Sequence, residues 1–206
     1  MVSSRTLRRD AAENRSRILD AARATFDHDG LDAGMEVIAQ RAGVGVGTIY
    51  RRFPTKEDLI ASVVHEVLSD IRDVQRSARA AHDAGEGFQS LLFDVGEIYR
   101  QHVGCLPRLW GDAEDELREE IDQLGREILE RAQREGAVRD DVVYEDLVTL
   151  FWSLRGVIER SGSVSPDAWR RALELQSQAW MFCREPLRTA PPSSREVALI
   201  RRSGPS

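Results

Sequence analysis

Cysteine is scarce and scattered. Cys105 and Cys183 are the only two in 206 residues, and neither sits in a C-x-x-C. That removes a disulfide framework and a zinc knuckle, leaving reduced, mostly buried thiols as the expectation. No run approaches the roughly eighteen uninterrupted apolar residues of a membrane span, and the arginines of "MVSSRTLRRD" have no apolar stretch behind them as a signal peptide requires. The reading is a cytoplasmic, bacterial-type protein. Strand-period alternation is almost absent. Also missing are G-x-S-x-G, H-E-x-x-H and a P-loop, while His28, His65, His82 and His102 are dispersed. An enzyme is therefore not expected. His102 and Cys105 have helical i, i+3 spacing but no further ligand nearby, so neither a metal nor a cofactor is expected.

What is present is 41% apolar residues, enough for a real core, and a net charge of −6 that is unevenly placed. Residues 1–56 hold ten Lys+Arg against seven Asp+Glu, and the remainder holds nineteen against twenty-eight. One end suits a polyanion and the rest does not. Apolar spacing of 3.6 residues predicts an all-α chain of about nine helices. The first runs from about Glu13 to His28, with Ile18, Leu19, Ala22 and Phe26 on one face and Gly30 as its stop. A short second covers Met35 to Ala42 with Val37, Ile38 and Ala42 inward, and a third covers Val46 to Arg52. Thr55 and Asp58 mark the start of a long fourth helix reaching about Ala81.

Helix five carries Phe88 to Val103, "GCLPRLWGD" is a bend, and another helix spans about 114–135. In "YEDLVTLFWSLRGVIERSG" apolar residues wrap most of the circumference, and the final helix, opened by Ser165 and Pro166, places Trp169, Ala172, Leu173, Gln176 and Trp180 along one stripe. Leu147, Phe151, Leu154, Ile158, Trp169, Leu173 and Trp180 are read as a four-helix interface with a second copy of the chain. The alternative is an unusually thorough intramolecular core. On the interface reading, charge reversal at Leu154 together with Trp169 yields monomers in sedimentation. Residues 185–206 lack sustained periodicity and are read as a flexible tail.

The stretch "RAGVGVGTIYRRFPTKEDL", residues 41–59, crowds glycines against an aromatic and basic cluster. Two short helices across a glycine turn describe a helix-turn-helix. Gly43 takes the left-handed conformation, Gly45 lies at the next N-cap, and Gly47 lets backbone approach a phosphate or base edge. A nucleotide-phosphate loop is the rival, but it needs a preceding strand and G-x-G-x-x-G spacing, and neither is there.

Residues 18–60 resemble the DNA-binding domain of the tetracycline-repressor (TetR) family of bacterial transcriptional regulators. The resemblance is carried by Ile38, Ala39, Ala42, Gly43, Val44, Gly47, Thr48, Tyr50, Phe53, Lys56 and Leu59. Beyond residue 80 it is architectural, nearest the SbtR-like subgroup at "LERAQREGAVRDDV". It implies an N-terminal three-helix helix-turn-helix domain (1–56) and a C-terminal helical ligand-binding and dimerisation domain (57–184). Thr48 and Tyr50 match positions that touch DNA, and Lys56 matches a phosphate clamp. Val46, Gly47, Thr48 and Arg51 occupy the base-edge face, Arg52 adds phosphate grip, and Arg5, Arg8 and Arg9 form an arm. Tyr50 has packing as an alternative role.

Two departures stand out. Gly45 replaces a common Ser or Thr, and "DAGM" lacks a Thr, leaving Asp32 as the cap of helix two. The implied mechanism is a homodimeric, ligand-responsive repressor on a palindromic, double-stranded operator, with helix four as the switch. A small apolar or aromatic effector would lie among Leu92, Val95, Tyr99, His102, Leu109, Trp110, Phe151, Trp152 and Arg155. An all-helical protein–protein adaptor is the competing class, and it has no use for residues 43–56.

Overall fold

A computed structural model describes residues 4–109, 115–183 and 185–203, with the backbone alone for 4–12, 115 and 202–203. The described residues are all helical, with no strand. They form α1 (Ser4–Asp29), α2 (Met35–Ala42), α3 (Val46–Arg52), α4 (Lys56–Ala80) and α5 (Ala84–Gln101). A 3₁₀ segment (Val103–Arg108) is followed by α6 (Asp115–Arg134), α7 (Tyr144–Ser161), α8 (Ala168–Phe182) and α9 (Ser194–Ser203). No described helix is long and apolar enough to cross a membrane.

The first three helices close over Ile18, Leu19, Phe26, Ile38, Ile49 and Phe53, all buried. Helix α4 continues that core into the second half, because its buried residues run from Leu59 to Ala78 along one face. Its start is a reciprocal capping box: Asp58 N–H donates to Thr55 Oγ1 (3.1 Å) and Thr55 N–H to Asp58 Oδ2 (2.9 Å). Helices α5 and α6 pack along the rest of α4.

Several boundaries differ from the sequence expectation. α1 begins at Ser4, so Arg5, Arg8 and Arg9 lie on helical turns instead of an extended arm. The N-cap of α2 is Gly34, not Asp32, and no side chain caps it. Val37 faces outward, 45% exposed. α8 starts at Ala168, with Ser165 and Pro166 in the preceding turn.

The segment expected as a flexible tail contains α9, with Val197 buried. Ser193 N–H donates to Glu196 Oε2 (2.8 Å) and Glu196 N–H to Ser193 Oγ (3.3 Å), a capping box whose i, i+3 spacing is visible in the sequence. Ahead of α9, Arg139 donates to the Glu185 carbonyl, and Asp141 accepts the Leu187 N–H at 3.0 Å. The Arg139 guanidinium, then the Leu187 N–H, hold the Asp141 carboxyl down at about 2.

The expected subunit interface is corrected most. Leu147, Leu154, Ile158, Trp169, Leu173 and Trp180 are all buried inside the protomer, and only Phe151 is partly open. α8 packs on α7 and α5 of the same chain: the Trp180 ring lies 6.2 Å from Phe88, and Trp169 crosses α5 at Gly96. A Cβ at Gly96 would overlap the Trp169 ring and come within 3.0 Å of Leu173 Cδ1. Charging Leu154 and Trp169 is thus expected to unfold the protomer, not to separate subunits. Gly96→Ala is expected to cost about 1–3 kcal/mol through overpacking, read as a lower urea midpoint at unchanged m-value.

Candidate functional site

The turn between α2 and α3 is a Schellman closure. Gly43, at φ 65° and ψ 33°, donates to the Gln40 carbonyl (3.1 Å), and Val44 N–H donates to Ala39 (3.0 Å). A side chain at that φ would be strained, so the glycine is required. Gly45 is the extended N-cap of α3, its carbonyl accepting the Thr48 N–H at 2.8 Å. Only Ile49 of α3 is buried, and with Phe53 it pins the helix onto the core. The opposite face is open: Val46 is 41% and Tyr50 43% exposed, with Gly47, Arg51 and Arg52 beside them. A Cβ at Gly47 would meet nothing within 4 Å.

Thr48 and Lys56 are half-buried at the edges of this face, and Arg51 Nη2 donates to Thr48 Oγ1 at 3.2 Å. The structure therefore gathers Val46, Gly47, Thr48, Tyr50, Arg51, Arg52 and Lys56 on one surface. The side chains of Arg5, Arg8 and Arg9 lie outside the described residues. Sequence reasoning missed Asn14 and Arg15, which line a groove between α1 and α3 together with Thr48, Arg51 and Arg52. It also missed exposed Val37. The polar side chains of α1 that complete the groove were hidden within a helix read only for its apolar face.

The surface is held in a fixed attitude. Arg41 Nη1 donates to buried Thr25 Oγ1 (2.9 Å), tacking α2 to α1. Arg15 and Arg23 both reach Glu66 of α4, at 3.3 and 2.6 Å. Gly104 of the 3₁₀ segment donates its N–H to Asp27 Oδ1 at 2.9 Å, and Arg108 pairs with Glu57. Burial nevertheless leaves the Asp27 carboxyl raised, with the Gly104 N–H and Arg23 pulling the other way.

In the second half, a cavity of about 50 Å³ lies between α4, α5, α6 and α7. Of the residues expected around it, Val95, Tyr99, Leu109 and Phe151 are in its wall, the Tyr99 and Phe151 rings 5.6 Å apart. Leu92, His102, Trp152 and Arg155 are not, and Trp110 lies outside the described residues. Leu92 belongs to the core, and Arg155 pairs with Glu159 at 2.6 Å. The wall contains more polar residues than expected. Gln75 of α4 donates through Nε2 to the Ile121 carbonyl (3.0 Å), leaving its buried Oε1 without a partner. Tyr144 donates to Asp122 Oδ1 at 2.7 Å, and Arg118 and Arg201 also face the cavity. Burial raises the Tyr99 and Tyr144 hydroxyls above the usual phenol range, so both stay protonated.

The described residues, all-helical in class with an exposed second helix behind a glycine turn, have the helix-turn-helix arrangement found in DNA-binding transcription regulators. Sequence comparison makes the assignment specific. The profile of bacterial regulatory proteins of the tetR family matches residues 18–63, and that of the SbtR-like transcriptional regulator C-terminal domain matches 106–177. The HTH-type transcriptional repressor KstR of Mycolicibacterium smegmatis is 32% identical over 139 residues, covering 63% of this chain and 67% of its own.

The crystal structure of the TetR transcription regulatory protein from Mycobacterium vanbaalenii superposes with a TM-score of 0.61 at 30% identity, covering 85% of this chain and 99% of that one. The TetR transcriptional regulator SCO0520 from Streptomyces coelicolor gives 0.62 at 28%, covering 81% and 98%. The chain belongs to the TetR family of transcription regulators and is not an enzyme.

His102, at the C-cap of α5, illustrates how the joint between the two halves responds to pH. Burial, then the charge of Arg23, lower its pKa from 6.5 to about 4, and its Nδ1 is buried without a partner. Between those two values the unfolded chain binds a proton that the folded chain refuses, so this contribution to stability is whole above pH 6.5 and is lost as pH falls toward 4. His102→Gln is expected to abolish that slope. In thermal unfolding the wild-type and variant melting temperatures should then converge as the pH drops from 7.5 to 4.5.

Proposed function

We propose that this regulator is a ligand-responsive repressor that binds a palindromic operator as a homodimer in the cytoplasm. The open face of α3 is the observation that carries the reading. A seven-residue helix pinned by Ile49 and Phe53 leaves the side chains of Val46 and Tyr50 exposed on its far side, at 41% and 43%, where large apolar and aromatic groups do nothing for the core. In the major groove Arg51 can donate two hydrogen bonds to a guanine, and Val46 can meet a thymine methyl. Tyr50, Arg52 and Lys56 are assigned to phosphates, which set register and salt dependence. The DNA-binding unit is taken as residues 1–56, and the cavity and subunit contacts as part of the remainder.

The dimer surface is reassigned. Leu175, Ala179 and Phe182 form one outward stripe on α8, with Leu175 55% and Phe182 73% exposed, and Gly156 on α7 has open space where a Cβ would be. This stripe lies on the opposite side of α8 from Trp169, Leu173 and Trp180. Pairing it with its copy in a second protomer would set two recognition helices about 34–36 Å apart, or somewhat more, for successive major grooves. The name of KstR identifies that relative as a repressor; the same mode of regulation is proposed here.

The effector reading rests on the cavity. Leu68, Ile71 and Gln75 of α4 form part of its wall, while Lys56 opens the same helix at the DNA-facing edge. A ligand that displaces α4 moves the head tied to it through Glu66, and a coupling of about 1–3 kcal/mol is the usual scale. The polar wall revises the effector from a purely apolar or aromatic molecule to an apolar body with a hydrogen-bonding end.

Selection of bound fragments from genomic DNA by the purified protein should return an inverted repeat, and Arg51→Ala should relax one base position in each half-site. Recovery of no preferred fragment at low salt would refute the operator reading. Lys56 is the only lysine in the chain, so its acetylation by an amine reagent, followed by mass spectrometry, should fall at least several-fold when operator is bound. Leu175→Glu combined with Phe182→Glu should give folded monomers in sedimentation, with operator affinity reduced at least about tenfold. A surviving dimer would place the contact elsewhere.

A further inference from the structure

Helix α9 lies beyond both segments that match family profiles, 18–63 and 106–177, yet it supplies part of the cavity wall. Arg201 reaches the cavity and donates to Asp122 Oδ2 and Oδ1 at 2.7 and 3.0 Å, across 79 residues of sequence. At the other end of α9, Ser194 Oγ donates to Glu145 Oε1 at 2.7 Å. Between these anchors only Val197 is buried, while Leu199 and Ile200 are 55% and 48% exposed.

The other walls are of a different kind. α4, α5, α6 and α7 are 25, 18, 20 and 18 residues long and interlock through the main core. A helix of ten residues is marginal by itself, and with Val197 as its one buried side chain among the described residues, α9 has the least core behind it of any part of the wall. The chain just before it is tethered, since Arg139 holds the Glu185 carbonyl and Asp141 the Leu187 N–H. Residues 188–192 then form a short connection without regular structure that ends in Pro191 and Pro192. The cavity of about 50 Å³ has room for a few waters. A molecule of drug size, in pockets of about 300–1,000 Å³, enters only if a wall moves.

We propose that α9 is a hinged lid over the cavity, latched by the Arg201–Asp122 pair, and that ligands enter beneath it. The lid governs access to the cavity that the preceding section reads as the effector site, and it rests on that reading only for what the occupant then does to DNA binding. Because Arg201 is both latch and wall, lid position and cavity occupancy are linked: a molecule that fills the closed space tightens the lid, and one too large for it holds the lid open.

The test uses the full chain and the neutral fluorescent probe N-phenyl-1-naphthylamine in stopped flow. With the lid closed, the observed uptake rate should level off at high probe concentration, because opening limits it. Arg201→Met, which removes the latch, and Val197→Asp, which undocks α9 without touching the cavity wall, should each raise that plateau by about tenfold or more. Far-UV thermal melts would confirm that both variants remain folded. Val95→Trp, which fills the cavity, should abolish the signal in every background and so exclude binding at the exposed α8 stripe.

A plateau unchanged in both latch variants, or a signal that survives Val95→Trp, would overturn the lid. Operator affinity is measured alongside. Faster uptake in the variants with no effect of probe on DNA binding leaves the lid standing and removes the effector reading, whereas equal plateaus with probe-induced DNA release do the reverse.

Discussion

The rest of the molecule depends on α4 being packed along its whole length as one rigid body. At about 1.5 Å per residue its 25 residues span roughly 37 Å, from the edge of the recognition surface to the far side of the cavity. Leu59 and Ile60 belong to the core beneath the first three helices, while Leu68, Ile71 and Gln75 face the cavity. No flexible connection separates the two. Glu66, bridged by Arg15 and Arg23, fastens the head to the middle of the same helix. These pairs are partly exposed, so each contributes modestly to stability and more to fixing an angle. A second attachment runs through the 3₁₀ segment, where a Cβ on Gly104 would overlap the Phe26 carbonyl and where Asp27 receives the Gly104 N–H. Leu109, just after that segment, is itself in the cavity wall. Two attachments at different points make a lever, because a change in their relative height turns the head.

The second half shows how a helix can be apolar on two sides for two different reasons. On α8 the ring of Trp169 is taken up by the bare backbone of Gly96, and Trp180 packs on Phe88. That is ordinary core, closed within one chain. Leu175, Ala179 and Phe182 lie on the other side, where no described part of their own protomer buries them. An exposed apolar stripe of this kind is a surface in want of a partner. The periodic pattern placed Trp169, Leu173 and Trp180 on one stripe but could not say that this stripe faced inward.

The cavity combines the two kinds of side chain that small-molecule sites usually hold: an apolar enclosure and a few fixed polar groups. Gln75 is oriented by its own donation to Ile121, and Tyr144 by its donation to Asp122, so their polar atoms are set before anything binds. The polar residues come from elements far apart in the chain, including α9. None of them stood out in sequence, since Gln75, Asp122 and Tyr144 are single residues of amphipathic helices with no motif around them, and Arg201 lies in a segment with too few turns to show a period.

The recognition element was legible in the sequence because its constraints are local. A left-handed residue at 43, an N-cap at 45, an inward Ile49 and a capping box from Thr55 to Asp58 are all decided within a few residues of backbone geometry and hydrogen bonding. The all-helical class followed in the same way, from apolar spacing along single helices. Tertiary structure alone decided which α8 stripe is core, that Gln75, Asp122 and Arg201 meet across the chain, and that residues 194–203 fold back as a wall. Those outcomes depend on which surfaces find each other at long range. Such pairings are selected by shape, such as the absent side chain at Gly96 opposite Trp169, and by partner charges, such as Arg201 against Asp122. Periodicity reports that a face is apolar, but only packing reports what covers it.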